Sequence, residues 1–402
     1  MTREAAAPSA GPTLVVWPAV PAWRIDGELW LDRKFKDGQD EFAARWPGRI
    51  KAVMDVVDLP AMPAFGACRW TGAGEAWSLE LIPRGEAFGR HHIAGADVLL
   101  ASADSPRKLV APDLCRGVGT ACVMAIEYTL RTRLDMLRQA PMTPLKRLKT
   151  LAWHLRNEPR IRRALRECDG VQANGQAAFD AYTRGRPHGL LYWDTRLAAA
   201  DVVGEAALEA RLATLAAPRP LRLAFSGRLI AAKGADALVP LAAALQRRGV
   251  PVHFDVWGAG ELEAGMRADI ARLGLGSSMR VNGPVDFAGV LMPTLQRDVD
   301  LFVCCHRQGD PSCTYAETLG CGVPIAGFAN ESLSALVASH GVGWVVPMGA
   351  IERLADVVER LHGARGELAD AARRARGFGV RNDFETVVAQ RTAHCLAVAQ
   401  AR

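Results

Sequence analysis

The segment at 309–317, GDPSCTYAE, places small polar side chains and an acid directly after the apolar stretch DLFVCC. Ser312 is a residue type that caps helices, and such a cap leaves the amides of Cys313 and Thr314 free to bind a phosphate. Glu317 lies just over one turn further on, where its carboxylate can accept hydrogen bonds from both hydroxyls of a ribose. The alternative is that Glu317 is only a first-turn acid favoured by the helix dipole.

A second chemical segment is SGRLIAAKG (226–234), which follows a predicted strand and precedes a predicted helix. Arg228 and Lys233 can both point toward one ligand, and Gly227 lets the backbone approach that ligand closely. Two cations beside a helix N-terminus suit a diphosphate. A solvated turn is the alternative interpretation.

A further glycine loop, WGAGELE (257–263), contains Gly258 and Gly260 and can also approach a ligand. Glu263 stands where a dinucleotide-binding motif has its third glycine, and the loop follows a later strand of its domain instead of the first. The loop therefore does not favour an NAD site.

Short apolar stretches alternate with amphipathic ones throughout the C-terminal half, which predicts a parallel sheet with helices on both faces. Such a doubly wound, Rossmann-like domain binds ligands beyond the carboxyl ends of its strands, where the three segments above fall. The predicted strands are 221–227, 252–258, 279–283, 300–305, 323–328 and 343–347, and the predicted helices are 235–249, 261–274, 286–297, 312–321 and 351–362.

The N-terminal half predicts a second α/β domain, because the 402 residues exceed what one core usually supports and apolar stretches recur there. Its predicted strands are 13–18, 50–57, 96–102, 121–128 and 169–175. The expected organisation is a loose tail at 1–12, an N-terminal domain at 13–197, a linker at 198–220, a C-terminal domain at 221–380, and a terminal helix at 381–402 that can pack back on the N-terminal domain.

Taken together, the C-terminal segments resemble the retaining GT-B glycosyltransferases. The resemblance covers about residues 221–346 and rests on G-R-L-x-x-x-K-G, G-x-G-E and AETLGCGVPIAG, in that order. It implies an α/β fold of two Rossmann-like domains facing a cleft, with a nucleotide-diphosphate sugar held by the C-terminal domain and a saccharide or polyprenyl-linked saccharide held by the N-terminal one. By position, Arg228 and Lys233 would neutralise the departing diphosphate, and Glu317 would match the second glutamate of the family's E-x7-E signature.

The sequence departs from that signature at its first position, where Gly309 replaces the glutamate and Asp310 follows one residue late. Either Asp310 contacts the donor sugar, as a third catalytic candidate, or backbone amides do so. The DVD at 298–300 resembles the metal-binding motif of another glycosyltransferase fold, but it begins an apolar strand, and the resemblance implies no metal or other cofactor.

Candidates for the acceptor side come from the N-terminal half. The long, Trp-rich first loop (17–35) offers Asp32, Arg33 and Lys34 as polyphosphate or sugar contacts, although a surface loop is an equal alternative. His91 and His92 precede a predicted strand and can line the acceptor side or make local hydrogen bonds. Glu127, at the end of another predicted strand, is a similar cleft candidate.

The basic segment 131–166 interleaves Arg and Lys with Leu, Met and Trp153. Such a segment can lie on an anionic membrane surface. The alternative is a pair of solvated helices that pack through their leucines, and nucleic acid is disfavoured because no stacking platform accompanies the charge. The leucines in question are Leu145, Leu148, Leu151 and Leu155.

Composition limits the function further. The net charge of +6 is modest, and no stretch of apolar residues is long enough to span a bilayer. The nine cysteines show no metal-binding spacing, which suits a reducing cytosol. The leading hypothesis is a cytoplasmic glycosyltransferase, peripheral on the inner face of the membrane, in exopolysaccharide or envelope glycan synthesis. The alternatives are a nucleotide-sugar epimerase of similar fold and a non-catalytic basic membrane-associated protein.

Overall fold

The structure, a computed structural model, describes residues 11–59, 66–186 and 188–402. Most of the expected N-terminal tail at 1–12 lies outside these ranges. Two largely parallel sheets, each covered by helices on both faces, confirm the predicted α/β architecture of two doubly wound domains.

Within the described residues, the N-terminal sheet has ten strands and the order β10-β9-β8-β7-β1-β4-β2-β3-β5, with β6 paired to β4. The strands are β1 (Thr13–Trp17), β2 (Ala22–Ile25), β3 (Glu28–Asp32), β4 (Arg49–Asp58), β5 (Ala67–Arg69), β6 (Ser78–Ile82), β7 (Val98–Ser102), β8 (Ala121–Ile126), β9 (Gly170–Asn174) and β10 (Gly189–Tyr192). The helices of this half are α1 (Arg33–Arg45), α2 (Ala111–Arg116), α3 (Leu130–Gln139), α4 (Pro144–Glu167) and α5 (Gln176–Tyr182).

The loop expected at 17–35 instead contains an antiparallel hairpin, β2 and β3, and the start of α1. The hairpin extends the sheet beyond β4, because β2 pairs in parallel with that strand. Asp32 ends β3 and caps α1 by accepting a hydrogen bond from the Phe35 amide at 2.9 Å. The hairpin therefore fixes where α1 begins, and with it the position of Lys34.

The C-terminal sheet is parallel throughout, in the order β13-β12-β11-β14-β15-β16. All six of its strands were predicted. They are β11 (Leu221–Ser226), β12 (Val252–Trp257), β13 (Met279–Gly283), β14 (Leu301–Cys304), β15 (Ile325–Phe328) and β16 (Gly343–Val346). Helix α6 (Glu205–Leu215) precedes β11. The helices that follow β11 are α7 (Leu238–Arg247), α8 (Glu263–Arg272), α9 (Met292–Asp298), α10 (Cys313–Gly320), α11 (Glu331–His340), α12 (Ile351–Gly363), α13 (Arg365–Arg381) and α14 (Phe384–Gln400).

The segment expected to be a linker, 198–220, contains α6, whose buried leucines join the core of the C-terminal domain. Arg211 on this helix is buried and donates hydrogen bonds to main-chain carbonyls, including that of Gly322. The segment is therefore packed structure along part of its length.

The two ends of the C-terminal region lie on different domains. Helix α13 packs against α10, and the two come so close that a Cβ on Gly379 would lie 2.5 Å from the Cα of Gly320. The chain then turns at Asp383, which caps α14, and α14 packs on α1 and on strands β7 to β10 of the N-terminal sheet.

The basic segment 131–166 forms α3 and α4. The two helices contact each other, as the solvated-pair alternative expected, but the packing through four leucines is wrong, since Leu145, Leu148 and Leu155 are at least half exposed. Within the described residues, no helix is long and apolar enough to cross a membrane.

Candidate functional site

The loops that follow β11 and β14 lie side by side, because these strands are neighbours at the point where the strand order of the C-terminal sheet reverses. Lys233 follows β11 and Asp310 follows β14, and their side chains form an ion pair of 3.2 Å. The second carboxylate oxygen of Asp310 is buried and has no hydrogen-bond partner in the described part of the chain. An unpaired buried acceptor is costly, so this oxygen is well placed to take a hydroxyl from a ligand.

Arg228 lies in the same loop as Lys233, and its side chain is exposed. It forms no ion pair with any residue that the structure describes. Gly234, which ends this loop, has a left-handed backbone (φ 68°), and a Cβ there would lie 1.9 Å from the Cys305 carbonyl oxygen. The glycine thus lets the loops after the two strands touch, and this contact fixes the base of Lys233.

The glycines predicted to approach a donor lie at close contacts between two loops of the chain. A Cβ on Gly258 would lie 1.9 Å from the Gly227 carbonyl oxygen, and one on Gly260 would lie 2.4 Å from that of Leu229. These glycines allow the loop after β12 to pack on the loop after β11. They shape this wall of the region through contacts within the chain.

Helix α10 begins at the centre of this region, with Ser312 as its N-cap residue. The expected side-chain cap is wrong, since the Ser312 hydroxyl accepts no hydrogen bond from the helix. Main-chain hydrogen bonds close the turn instead. The Ser312 amide donates to the Asp310 carbonyl at 2.9 Å, and the Ser312 carbonyl accepts from the Tyr315 amide at 3.0 Å. The amides of Cys313 and Thr314 have no acceptor among the described residues, and free amides at a helix start can bind an anion.

Glu317 is 6% exposed, and its carboxylate accepts a hydrogen bond from the Arg196 guanidinium at 3.0 Å. Burial raises the pKa of Glu317, and the charge of Arg196 acts against that rise. The Arg196 guanidinium also lies over the Phe287 ring, 4.7 Å from its centre. Arg196 was missed in the sequence, because it follows the unpredicted strand β10.

Lys34 links the N-terminal domain to this helix. Its ammonium group lies 2.6 Å from an Asp194 carboxylate oxygen and 3.0 Å from the Cys313 sulfur. Burial lowers the pKa of Lys34, but Asp194 and Cys313 together raise it above its ordinary value. Burial raises the pKa of the Cys313 thiol to about 11.

A cavity of about 620 Å³ opens between the two domains at this point. Predicted acceptor-side and donor-side residues therefore share one cavity. Its lining comprises Asp32, Arg33, Lys34, Asp37, Gly66, Arg196, Cys313 and Phe384.

A second, largely apolar cavity of about 250 Å³ adjoins the first and shares Asp32, Lys34 and Phe384 with it. It lies beyond the carboxyl ends of β1 and β7, where the strand order of the N-terminal sheet reverses. The two cavities give the cleft a polar part next to α10 and an apolar part on the N-terminal domain.

Glu127 follows β8 and lies near Asp104, which accepts hydrogen bonds from the amides of Glu127 and Tyr128 at 2.8 and 3.0 Å. Burial, and then the charges of Asp104 and Asp194, raise the pKa of Glu127 to about 7. Burial also raises the pKa of Asp104 to about 6. Two carboxyl groups that titrate near neutrality thus lie at the carboxyl end of the N-terminal sheet.

The structure places His91 and His92 apart from these residues, in a short turn that precedes the amino end of β7. The His92 ring is buried, stacks on Phe88 with 4.9 Å between ring centres, and bonds through Nδ1 to the Gly89 backbone. Of the two interpretations open for His92, the local hydrogen bond is the one present.

Both aspartates of the DVD motif form ion pairs with arginines. Asp300 pairs with Arg219 through two contacts of 2.7 and 2.8 Å, and Asp298 lies 2.8 Å from the Arg222 guanidinium. Among the residues that the structure describes, no three His, Cys, Asp or Glu side chains cluster as a metal site would require.

Comparisons with known proteins agree with this architecture. A family model described as glycosyl transferases group 1 matches residues 220–363. A search of curated proteins found no significant match.

Among solved structures, HepE of Anabaena in complex with UDP has a TM-score of 0.63 at 16% identity, over 96% of this chain and 99% of that chain. A glycosyltransferase from Rickettsia africae ESF-5 has a TM-score of 0.59 at 11% identity, over 98% of both chains. WaaG, a glycosyltransferase involved in lipopolysaccharide biosynthesis, has a TM-score of 0.54 at 13% identity, over 95% and 99%. The predicted GT-B fold is thereby confirmed, and residues 220–363 match the family model of glycosyl transferases group 1.

Proposed function

We propose that this protein transfers a sugar, with retention of configuration, from a nucleotide-diphosphate sugar to a saccharide or lipid-linked saccharide. The observation that carries the proposal is the start of α10. Two free amides there are flanked by the Lys233–Asp310 and Arg196–Glu317 pairs and open into the cleft between the domains. The sequence resemblance, and not geometry, supports retention.

The proposed donor site divides into three parts. Arg228, Lys233 and the amides near Thr314 stabilise the diphosphate as negative charge grows on it. Glu317 accepts hydrogen bonds from the ribose, and the free oxygen of Asp310 accepts one from the donor sugar. This assignment uses cations of the chain to neutralise the leaving group and needs no metal.

The proposed acceptor site is the N-terminal side of the cleft, where Lys34 contacts Cys313 at the start of α10 and Glu127 lies near Asp194. With its pKa near 7, the Glu127 carboxyl is protonated in a large fraction of molecules at neutral pH and can donate a hydrogen bond to an acceptor oxygen. The acceptor's proton passes to a phosphate oxygen of the donor, so no side chain has to act as the base.

For location, we propose the cytoplasm, with peripheral attachment to the inner face of the membrane. All nine cysteines are unpaired, which supports a reducing compartment. Exposed leucines beside the cations of α4 support contact with anionic lipid, for an acceptor of exopolysaccharide or envelope glycan synthesis.

The test is a thermal-shift screen of nucleoside diphosphates, followed by product analysis with the sugar form of the nucleotide that binds. A ligand of the folded state raises the melting temperature. Stabilisation by one nucleoside diphosphate and transfer of its sugar are expected. Failure of every nucleoside diphosphate to stabilise the chain refutes the donor site, and conversion of the sugar to its epimer without transfer supports the epimerase instead.

A further inference from the structure

A groove runs along the helix pair α3 and α4, outside the cavities described above. It consists of an inner cavity of about 520 Å³ and an outer one of about 380 Å³, and both are lined by Met142. We call the joined cavities the α3–α4 groove. Its inner end touches the C-terminal domain at Ala232 and Gln308, which come just before Lys233 and the Gly309–Asp310 loop.

The inner end of the groove is polar. Asp104 and Tyr128 line it, and Asp310 is near enough to Tyr128 to add to the rise that burial causes in the pKa of that phenol. Asn157 is 4% exposed, and its side-chain oxygen has no hydrogen-bond partner in the described part of the chain. Nδ1 of His154 is also buried and has no partner there. A ligand with hydroxyl groups would satisfy these atoms.

The outer end of the groove is apolar and flanked by cations. Met136, Leu137 and Trp153 line its middle, and Leu148, which is 63% exposed, lines its mouth beside Arg147. Single exposed leucines are common on soluble proteins, but exposed apolar side chains that continue an apolar cavity mark an interaction site.

We propose that the α3–α4 groove binds the hydrocarbon chain of a lipid-linked acceptor, with the hydroxylated head toward Lys233 and Asp310. Polarity changes in one direction along the groove, and only an amphiphile matches both ends. A free saccharide would leave the outer half unfilled. The cations at the mouth, Arg147 with its neighbours Lys146 and Lys149, complement the anionic headgroups of the membrane that holds such a lipid. The position of the head rests on the proposed function, whereas binding of the chain does not.

The test is calorimetric titration of the full chain with hexyl, decyl and dodecyl phosphate, each kept below its micelle-forming concentration. Burial of each added methylene should tighten binding by about fourfold. Leu148→Asp places a charge at the mouth and should weaken binding of decyl phosphate by at least about tenfold.

The matched control is Leu145→Asp, which lies on the same helix with the same 63% exposure but does not line the groove. The Leu145→Asp variant should bind decyl phosphate with the same affinity as the wild type. Both leucines are exposed, so neither variant should unfold, and circular dichroism checks this. Equal loss in the two variants, or affinity independent of chain length, would show adsorption to the surface of α4 and overturn the proposal.

Titration with the nucleoside diphosphate found by thermal shift separates this proposal from the proposed function. Binding that depends on chain length and that Leu148→Asp weakens supports the groove, whether or not a nucleotide binds. Leu148→Asp should leave nucleotide binding unchanged, and a parallel loss of both ligands would overturn the assignment of a separate site.

Discussion

Replacing Glu127 with glutamine tests whether the cleft holds this carboxyl group in its protonated form. The pKa of Glu127 rises from 4.5 to about 7, first through burial and then through Asp104 and Asp194, while hydrogen bonds with Tyr128 and Asn174 act the other way. Because the folded chain holds this proton more tightly than the unfolded chain does, the wild-type protein should lose stability as the pH rises from about 4.5 through about 7.

The size of that loss follows from the shift. At roughly 1.4 kcal/mol per pKa unit, a rise from 4.5 to about 7 corresponds to about 3 kcal/mol. Coupling to Asp104 divides the effect between two groups, which leaves about 1–3 kcal/mol for Glu127 itself. Glutamine cannot ionise, so Glu127→Gln should gain this amount relative to the wild type between about pH 5 and about pH 8.

Urea unfolding of the wild type and of Glu127→Gln at about pH 5 and about pH 8 measures this change in the free energy of unfolding. The control is Glu86→Gln, because Glu86 is exposed in a surface loop. The free energy of unfolding of the control should differ from the wild type by the same small amount at both pH values. If Glu127→Gln behaves like the control, Glu127 is ionised throughout. It then cannot donate a hydrogen bond to the acceptor at neutral pH.

Three further outcomes are expected. Arg228→Ala or Lys233→Ala should lower turnover by on the order of a hundredfold while the donor still binds, and near-normal turnover in both variants would rule out this diphosphate site. Glu317→Ala should weaken binding of the nucleoside diphosphate itself, whereas Asp310→Ala should impair only use of the complete nucleotide sugar; equal losses of bare nucleotide in titrations would show that the loop is wrongly assigned. The segment 131–166 should carry the chain onto anionic vesicles in flotation assays, less so at high salt, and equal partitioning onto neutral vesicles would contradict that role.

The C-terminal sheet was readable from sequence because its strands are buried on both faces. A strand such as β14, LFVC, is a continuous apolar stretch that no surface element resembles. Strands β2 and β3 carry no such signal, since they extend the sheet at its edge and keep half-exposed positions beside buried ones. At three residues, β5 is too short for any periodicity to show.

The same contrast holds for the site. Lys233 lies in a loop after one strand and Glu317 in the helix that follows another, so the local pattern was enough to select them, whereas Asp310 was selected through the family resemblance. Arg196 reaches Glu317 across 121 positions of sequence, and its own neighbourhood carries no pattern. Asp194 likewise contacts Lys34 across 160 positions of sequence. Contacts of this range depend on the fold, and a single sequence does not reveal them.

The arrangement of charges also explains why so many polar groups follow the apolar strand β14. Three cations at the cleft already have acidic partners: Lys233 with Asp310, Arg196 with Glu317, and Lys34 with Asp194. Each pair keeps a buried or partly buried charge satisfied while no ligand is bound, which a lone cation or carboxylate there could not achieve cheaply. Arg228 and the free amides of α10 are then among the positive groups that have no acidic partner in the described residues. Because they need not leave an existing partner, a diphosphate should meet them first, and the paired cations can turn toward it as their carboxylates take up the hydroxyl groups of the ribose and the sugar.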